Sequence, residues 1–260
     1  MNAMDIKNEL KKYKKGWVEF YKLRFKVTPD VLIPRPETEL LVDKVLEFIS
    51  YLQTTLHELP PITVLDVGTG AGNIAISVAK NSNNVQIIAT DVSGKALKIA
   101  KQNAKLHGVS NKIIFIQSNL LYSFYYDTLV YHSKINPNII VANLPYIPSA
   151  RIPYLDSSVK DSEPNVALDG GEDGFELCRK LFQQIKQLSN PVSENVSLES
   201  NLQTGIVAWK PKLIICEIDY THEELASNEA YKYFPQAEIE VKKDLAHQQR
   251  ILTIRFSLDN

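Results

Sequence analysis

Cysteine is scarce in this chain of 260 residues: only Cys178 and Cys216 are present. Two are too few for a disulfide scaffold or a cysteine-built zinc site. The five histidines are scattered without metal-ligand spacing, so no metal is expected. An excess of charge of one sign is missing too. Lys+Arg 29 against Asp+Glu 30 gives a formal net charge of -1, which excludes a generally basic nucleic-acid binder though not a local patch. No apolar run reaches membrane-spanning length. The opening MNAMDIKNELKKYKKG has no apolar stretch after its lysines, so it does not read as a secretory signal. What remains is 44% hydrophobic and 23% charged residues, an ordinary globular composition that argues against disorder. The length allows one large domain or two small ones and a core that needs no staples. The expectation is a soluble, cytoplasmic domain.

Residues 1–16 form a short lysine-rich lead-in. The aromatic and β-branched run from Trp17 to Pro34 predicts a hairpin. Pro36 suits the first position of a helix and Glu37 and Glu39 its positive end, and Leu41, Val45, Phe48, Ile49 and Leu52 recur at helical spacing. From Ile62 the pattern alternates between strand and helix. Strands are predicted at Ile62–Val67, Gln86–Thr90, Lys112–Gln117, Ile139–Ala142, Lys212–Glu217, Ala237–Val241 and Ile251–Phe256. Helices are predicted at Asn73–Lys80, Gly94–His107 and Asp173–Leu188. That order implies an α/β fold with a doubly wound sheet. Tyr122–Asn138 is irregular and aromatic, and the polar Asn190–Gly205 reads as a mobile surface loop.

Between the first sheet strand and its helix lies DVGTGAG, Asp66 to Gly72. Gly68, Thr69, Gly70, Ala71 and Gly72 let a ligand approach the backbone at the carboxyl end of a strand, where open α/β sheets bind ligands. The loop lacks the sixth-position glycine of a dinucleotide fingerprint, which is Asn73 here, and the Gly-Lys-Ser/Thr ending of a P-loop. G-x-G-x-G suits S-adenosylmethionine, which carries a carboxylate and no phosphate. Asp91 ends the second sheet strand about 20 residues on, where a carboxylate can accept hydrogen bonds from ribose hydroxyls; the competing role is a helix cap. Asn143-Leu144-Pro145-Tyr146 follows the apolar strand IIVA and by itself could be a plain turn.

Together these residues resemble the HemK/PrmC family, the protein-(glutamine-N5) methyltransferases that modify peptide chain release factors. The resemblance runs from about Trp17 to the C-terminus. It rests on FYKLRFKV (Phe20–Val27), LIPRPETELLV (Leu32–Val42), DVGTGAG, VANLPYIP (Val141–Pro148) and EPNVALDGGEDG (Glu163–Gly174). It implies a Rossmann-like, seven-stranded class I methyltransferase sheet over residues 35–260, with an N-terminal β-hairpin over 17–34. The family's N-terminal helical domain is then largely missing, since only Met1–Gly16 precedes the hairpin. The usual tetrapeptide is Asn-Pro-Pro-Tyr, from which Leu144 departs. NLPY itself is familiar from rRNA adenine dimethyltransferases.

An amide nitrogen, like adenine's exocyclic amine, has a delocalised lone pair and is a poor nucleophile. Acceptors can hold its NH₂ and aim it at a sulfonium methyl: the Asn143 side-chain oxygen and the Leu144 backbone carbonyl. Pro145 stiffens the turn and Tyr146 offers a flat face. Asn143, Pro145 and Tyr146 are thus the expected catalytic residues, with Leu144 beside them binding substrate. The resemblance carries Gly68–Gly72 over to the methionine part of the donor, Asp91 to its ribose, and Asn119 and Leu120 to its adenine, with Asn143 also at the donor. Phe25 and Arg35 belong to segments expected over the donor site, or else to hairpin packing and a surface ion pair. The expected products are S-adenosylhomocysteine and a methylated release factor, made by a monomer without direct nucleic-acid contact. Three alternatives stay open. One is an adenine-N6 methyltransferase of RNA or DNA, which NLPY motivates and the neutral charge and missing basic stripe oppose. The second is a glutamine methyltransferase of a ribosomal protein, and the third a non-enzymatic donor-binding protein.

Overall fold

The computed structural model describes residues 13–56, 60–126, 135–190 and 208–258. Trp17–Phe20 (β1) and Leu23–Lys26 (β2) pair antiparallel, Trp17 opposite Lys26. The corner residues Tyr21 and Lys22 both have positive φ, 50° and 59°, as tight hairpin turns require. Neither is glycine, so the corner is held from outside. The Tyr21 N–H donates to Glu39 Oε1 at 2.6 Å and the Tyr21 hydroxyl to Asp43 at 2.6 Å. The hairpin is shorter than the expected 17–34. The chain turns at Thr28–Asp30, where the Val31 N–H bonds back to the Thr28 carbonyl and Pro29 has no N–H for a ladder.

Pro36–Thr38 is a single 3₁₀ turn, and the helix proper, Glu39–Thr55 (α1), follows it. Then come Ile62–Val67 (β3), Asn73–Asn81 (α2), Val85–Asp91 (β4), Gly94–Leu106 (α3), Ile113–Gln117 (β5), Ser123–Tyr126 (α4) and Ile139–Ala142 (β6). Ser157–Lys160 (α5), Glu176–Ser189 (α6), Leu213–Glu217 (β7), Glu223–Tyr233 (α7), Glu238–Lys243 (β8) and Gln249–Arg255 (β9) complete the order. α6 starts at Glu176 rather than Asp173, because the Asp173 carboxylate accepts the Phe175 N–H and Gly174 is left-handed at φ 77°. α7 escaped the sequence reading. It buries only Ala226 and Ala230, too thin a stripe to stand out as helical periodicity. The Tyr122–Asn138 stretch contains α4, and its residues 127–134 lie outside the described residues. So do residues 1–12 of the lysine-rich lead-in and, beyond Asn190, the expected surface loop.

All seven expected sheet strands join one sheet in the order β5-β4-β3-β6-β7-β9-β8. The first five run parallel, and β9 is antiparallel to both β7 and β8. Alternate strand residues feed two apolar layers. Ile62, Val64, Ile139, Val141, Leu213 and Ile215 face one layer with the hairpin, α1, α2 and α3. Leu65, Val67, Ile140, Ala142, Ile214 and Cys216 face the other with α6 and α7. This double burial explains why these strands read as unbroken apolar runs. The winding of the sheet reverses at β3: β4 and β5 lie on one side of it, β6 and β7 on the other. The crevice for a ligand is therefore expected above β3 and β6. One sequence expectation is corrected on the outer face of α3. Lys95, Lys98, Lys101 and Lys105 are all exposed there, with no acid in the helix. A local basic stripe does exist.

Candidate active site

The strand ends line up the residues that the sequence singled out. β3 and β6 are paired, with Val67 opposite Ala142, so the glycine loop and the NLPY turn leave the sheet side by side. β4 flanks β3 and ends in Asp91, paired with Gln117 of β5. β7 flanks β6 and ends in Glu217.

In the glycine loop Gly68, Gly70 and Gly72 have φ of 76°, 55° and 82°. A Cβ on Gly70 would meet nothing within 4 Å, so there the backbone borders open space. Asp91 Oδ2 accepts the Gly70 N–H at 2.8 Å and Oδ1 the Ser93 N–H at 2.8 Å. Each oxygen retains acceptor capacity. The helix cap is Ser93, whose hydroxyl accepts the Ala96 N–H at 3.2 Å, so Asp91 braces the loop rather than capping the helix, and burial raises its pKa. Asp66 lies under the loop, fully buried. Its Oδ2 accepts the Thr69 hydroxyl and the Ala75 N–H, while Oδ1 has no partner among the described residues. Burial pushes its pKa up to about 7 against those two hydrogen bonds. Ala71 is buried, and its carbonyl accepts from Asn103 Nδ2 at 2.9 Å. Asn103 also bonds the Lys26 N–H and carbonyl, which ties the hairpin to the loop.

Asn119 is exposed just past β5. Leu120 is 8% exposed and packs with Leu121, Phe124 and Ile88. Its φ of 51° costs about 1–2 kcal/mol for a side chain with a Cβ. Leu120 is therefore a packed corner rather than an open platform. Phe25 is fully buried, edge-on to Phe20 at 6.0 Å. Arg35 pairs with Glu163 at 2.7 Å, the Glu163 side chain being fully buried. For both, packing and pairing are the roles the structure displays, although the ion pair is buried at its acidic end.

Hydrogen bonds anchor the NLPY turn on two sides. Asn143 Nδ2 donates to Thr38 Oγ1 at 2.9 Å. The Thr38 hydroxyl donates to Glu217 Oε2 at 2.7 Å, and the Tyr146 hydroxyl donates to Glu217 Oε1 at 3.1 Å. Thr38 and Glu217 are each 1% exposed. Burial raises the Glu217 pKa, opposed by its two hydroxyl donors and by the charge of Arg250. Burial, then the Glu217 charge, raises that of Tyr146. On the other side, the Ile147 N–H bonds the Leu168 carbonyl, the Gly170 N–H the Ile147 carbonyl, and the Ser149 N–H the Gly171 carbonyl. Among the described residues nothing donates to Asn143 Oδ1 or to the Leu144 carbonyl. The Leu144 side chain is 4% exposed and touches the loop at Gly68.

Sequence reasoning brought Asn143, Pro145, Tyr146, Asp91 and the glycine loop to the same edge of the sheet. It missed Thr38, Glu217, Asn103 and the brace at Gly170. A signal for Glu217 existed: an acid closing the apolar run LIIC, much as Asp91 closes VQIIAT.

The arrangement has relatives. Residues 47–143 match the family model of the methyltransferase small domain. The release factor glutamine methyltransferase of Moorella thermoacetica is 39% identical over 179 residues, 69% of this chain and 58% of that protein. That of Rhodopirellula baltica is 33% identical over 241 residues, 92% of this chain and 71% of that protein. The chain thus spans between about half and three quarters of these relatives' length. The N-terminal domain of human METTL16, solved in complex with SAH, superposes with a TM-score of 0.59 at 15% identity, covering 99% of this chain and 85% of that one. The superposition establishes a methyltransferase fold, and the two sequence relatives establish more: the chain belongs to the release factor glutamine methyltransferase family.

Proposed function

We propose that this protein transfers a methyl group from S-adenosylmethionine to the side-chain amide nitrogen of a glutamine, in the Gly-Gly-Gln loop of a peptide chain release factor. One observation carries the reading. The Asn143 Oδ1 and Leu144 carbonyl acceptors are open at the end of β6, directly beside the glycine loop that ends β3. The donor site fits the chemistry of the group. The Gly70 backbone borders open space, Asp91 keeps acceptor capacity for ribose hydroxyls, and an unpartnered Asp66 oxygen lies under the loop. When bound, S-adenosylmethionine supplies an electrophilic methyl on a sulfonium sulfur. Gly68–Gly72 and Asp91 would hold it, with exposed Asn119 toward the adenine.

The chain's own work is positioning. Asn143 Oδ1 and the Leu144 carbonyl accept the two N–H bonds of the glutamine amide and fix the direction of its nitrogen. Pro145 stiffens the turn between them, and the Tyr146 ring lies along the planar amide. The amide nitrogen would take the methyl as the sulfonium C–S bond breaks, and would release one proton to solvent, leaving S-adenosylhomocysteine.

The test is mass spectrometry of release-factor peptides after incubation with enzyme and donor. Methyl on the loop glutamine is expected, with none when that glutamine is changed. Asn143→Ala should cut turnover about 10²-fold, as removing one oriented polar group at a reacting centre does. Transfer to a ribosomal protein, or to bare RNA or DNA through the basic stripe of α3, with none to release factor, would overturn the reading.

A further inference from the structure

We infer that Thr38 and Glu217 are positioning residues that set which way round the Asn143 amide faces. The inference rests on the acceptor role of Asn143 proposed above.

The two ends of an Asn amide have nearly the same shape, so packing alone does not choose between them. Only one end is useful here, because an NH₂ pointing at the substrate would repel the N–H bonds of the glutamine. The choice has to come from a hydrogen-bond partner with a fixed polarity. Thr38 is such a partner only because of what lies behind it. A hydroxyl has one proton and can either donate to or accept from the amide. In its ionised form, which the Thr38 and Tyr146 donors and the Arg250 charge favour, the Glu217 carboxylate can only accept, and it takes the Thr38 proton at 2.7 Å. With that proton committed, Thr38 Oγ1 has only lone pairs left for Asn143. The nitrogen is therefore the end that turns toward Thr38, at 2.9 Å. Oδ1 is left facing out, without a donor among the described residues.

The same carboxylate closes the chain on its other side. Glu217 Oε1 accepts the Tyr146 hydroxyl at 3.1 Å. One buried acid thus fixes the first and last residues of the tetrapeptide, and every bond in the chain points toward it. Burial makes the control strong. Thr38 and Glu217 are each 1% exposed, so water does not replace a lost partner, and a polar group left unpaired there is costly. The three segments come from residues 38, 143–146 and 217 and meet only because β6 and β7 are neighbours and the 3₁₀ turn before α1 sits across their ends.

The experiment compares wild-type protein with Thr38→Val, Thr38→Ser and Glu217→Gln. It measures kcat and KM for release factor, the Kd of S-adenosylhomocysteine by calorimetry, and thermal melting. Thr38→Val is expected to lower kcat about 10²-fold, with KM and donor Kd within about threefold of wild type. Thr38→Ser restores the hydroxyl and should recover kcat to within about threefold. Glu217→Gln keeps the volume, and with its oxygen held by the Tyr146 hydroxyl, as Oε1 is in Glu217, it turns its NH₂ to Thr38. The hydroxyl then swings round to donate to Asn143 and the amide flips, so kcat should fall about as far as in Thr38→Val while the protein stays folded.

Wild-type kcat in folded Thr38→Val or in folded Glu217→Gln would overturn the inference. So would a serine variant as slow as the valine one, because bulk and not the hydroxyl would then be at work. If the valine variant does not fold, the serine and glutamine variants decide alone. Wild-type protein that methylates no release factor refutes the proposed activity instead. A wild type that does, beside variants equally active, refutes only the polarity chain.

Discussion

Gly170 offers a test of how precisely the NLPY turn is held. A Cβ built on this residue would lie 2.6 Å from the Gly174 carbonyl oxygen, 2.8 Å from the Pro145 carbonyl oxygen and 2.8 Å from Tyr146 Cα. Ordinary contact begins near 3.4 Å, so the methyl of Gly170→Ala is short of room by about 0.6 to 0.8 Å. All three obstacles are backbone atoms, so no side chain can rotate out of the way. Residue 170 cannot slide back freely either, since its N–H is bonded to the Ile147 carbonyl at 2.9 Å. The strain must go into the Pro145–Tyr146 backbone, which has to move by about half an ångström to one ångström. Overpacking of this kind costs about 1–3 kcal/mol of stability. A displacement of about 1 Å at a reacting centre costs about 10²-fold in rate. The expected result is a kcat on release factor lowered about 10²-fold at a temperature where the variant is fully folded, with donor affinity unchanged. Gly108→Ala is the control: its φ is 68° but nothing lies within 4 Å of the added carbon, so it should lose stability and keep kcat. If Gly170→Ala turned over like wild type, the turn would not be held to sub-ångström precision, and the reasoning about its brace would be wrong.

Three further outcomes follow from buried groups. Asp66, pushed up to about 7 by burial, keeps a proton in the folded chain that the unfolded chain releases near pH 4. Its contribution to stability is full below about pH 4 and is lost as pH rises through about 7, on the order of 4 kcal/mol at most. Asp66→Asn should flatten that fall in urea unfolding at a series of pH values, and a wild-type-minus-variant difference that does not change with pH would refute it. Leu144→Ala removes a side chain only 4% exposed and should cost about 2–5 kcal/mol in the same unfolding measurement; a loss under about 1 kcal/mol would place the side chain outside the core. Arg35→Ala removes the guanidinium that lies 2.7 Å from the fully buried Glu163 carboxylate and should cost about 3–5 kcal/mol. Adding Glu163→Gln should recover part of that loss in a double-mutant cycle, and strictly additive losses would show that the pair is uncoupled.

How much of this was legible beforehand depends on how local each signal is. The strands β3, β4, β6 and β7 are covered on both faces, so their sequences are plain apolar runs, and the glycine loop and NLPY follow two of them directly. Their meeting followed from topology, because a parallel sheet that reverses its winding at β3 puts the ends of β3 and β6 together. What stayed hidden was contact between distant segments. Thr38 and Glu217 are 179 residues apart, and a threonine before a helix looks like any cap. The lysines of α3 vanished into a net charge of -1, since a sum over the chain carries no information about faces. α7 was lost because two alanines bury it, and Leu120 gave no sign that its backbone would be left-handed.

Leu144 sits between the donor loop and the Gly170 brace. Its departure from Asn-Pro-Pro-Tyr removes a ring that would have stiffened the turn from within. The structure places rigidity elsewhere. The Leu144 side chain is buried against Gly68, so the turn is pinned to the donor loop by packing. Three backbone hydrogen bonds from residues 147–149 to 168–171 hold its far side, and Gly170 and Gly174 let that segment approach to distances any Cβ would forbid. Glu217 holds Asn143 through Thr38 and Tyr146 directly. A turn fixed by its surroundings on three sides does not depend on the conformational restriction of its second residue. Under the proposed mechanism the second position must still provide a carbonyl, and leucine provides that as well as proline does.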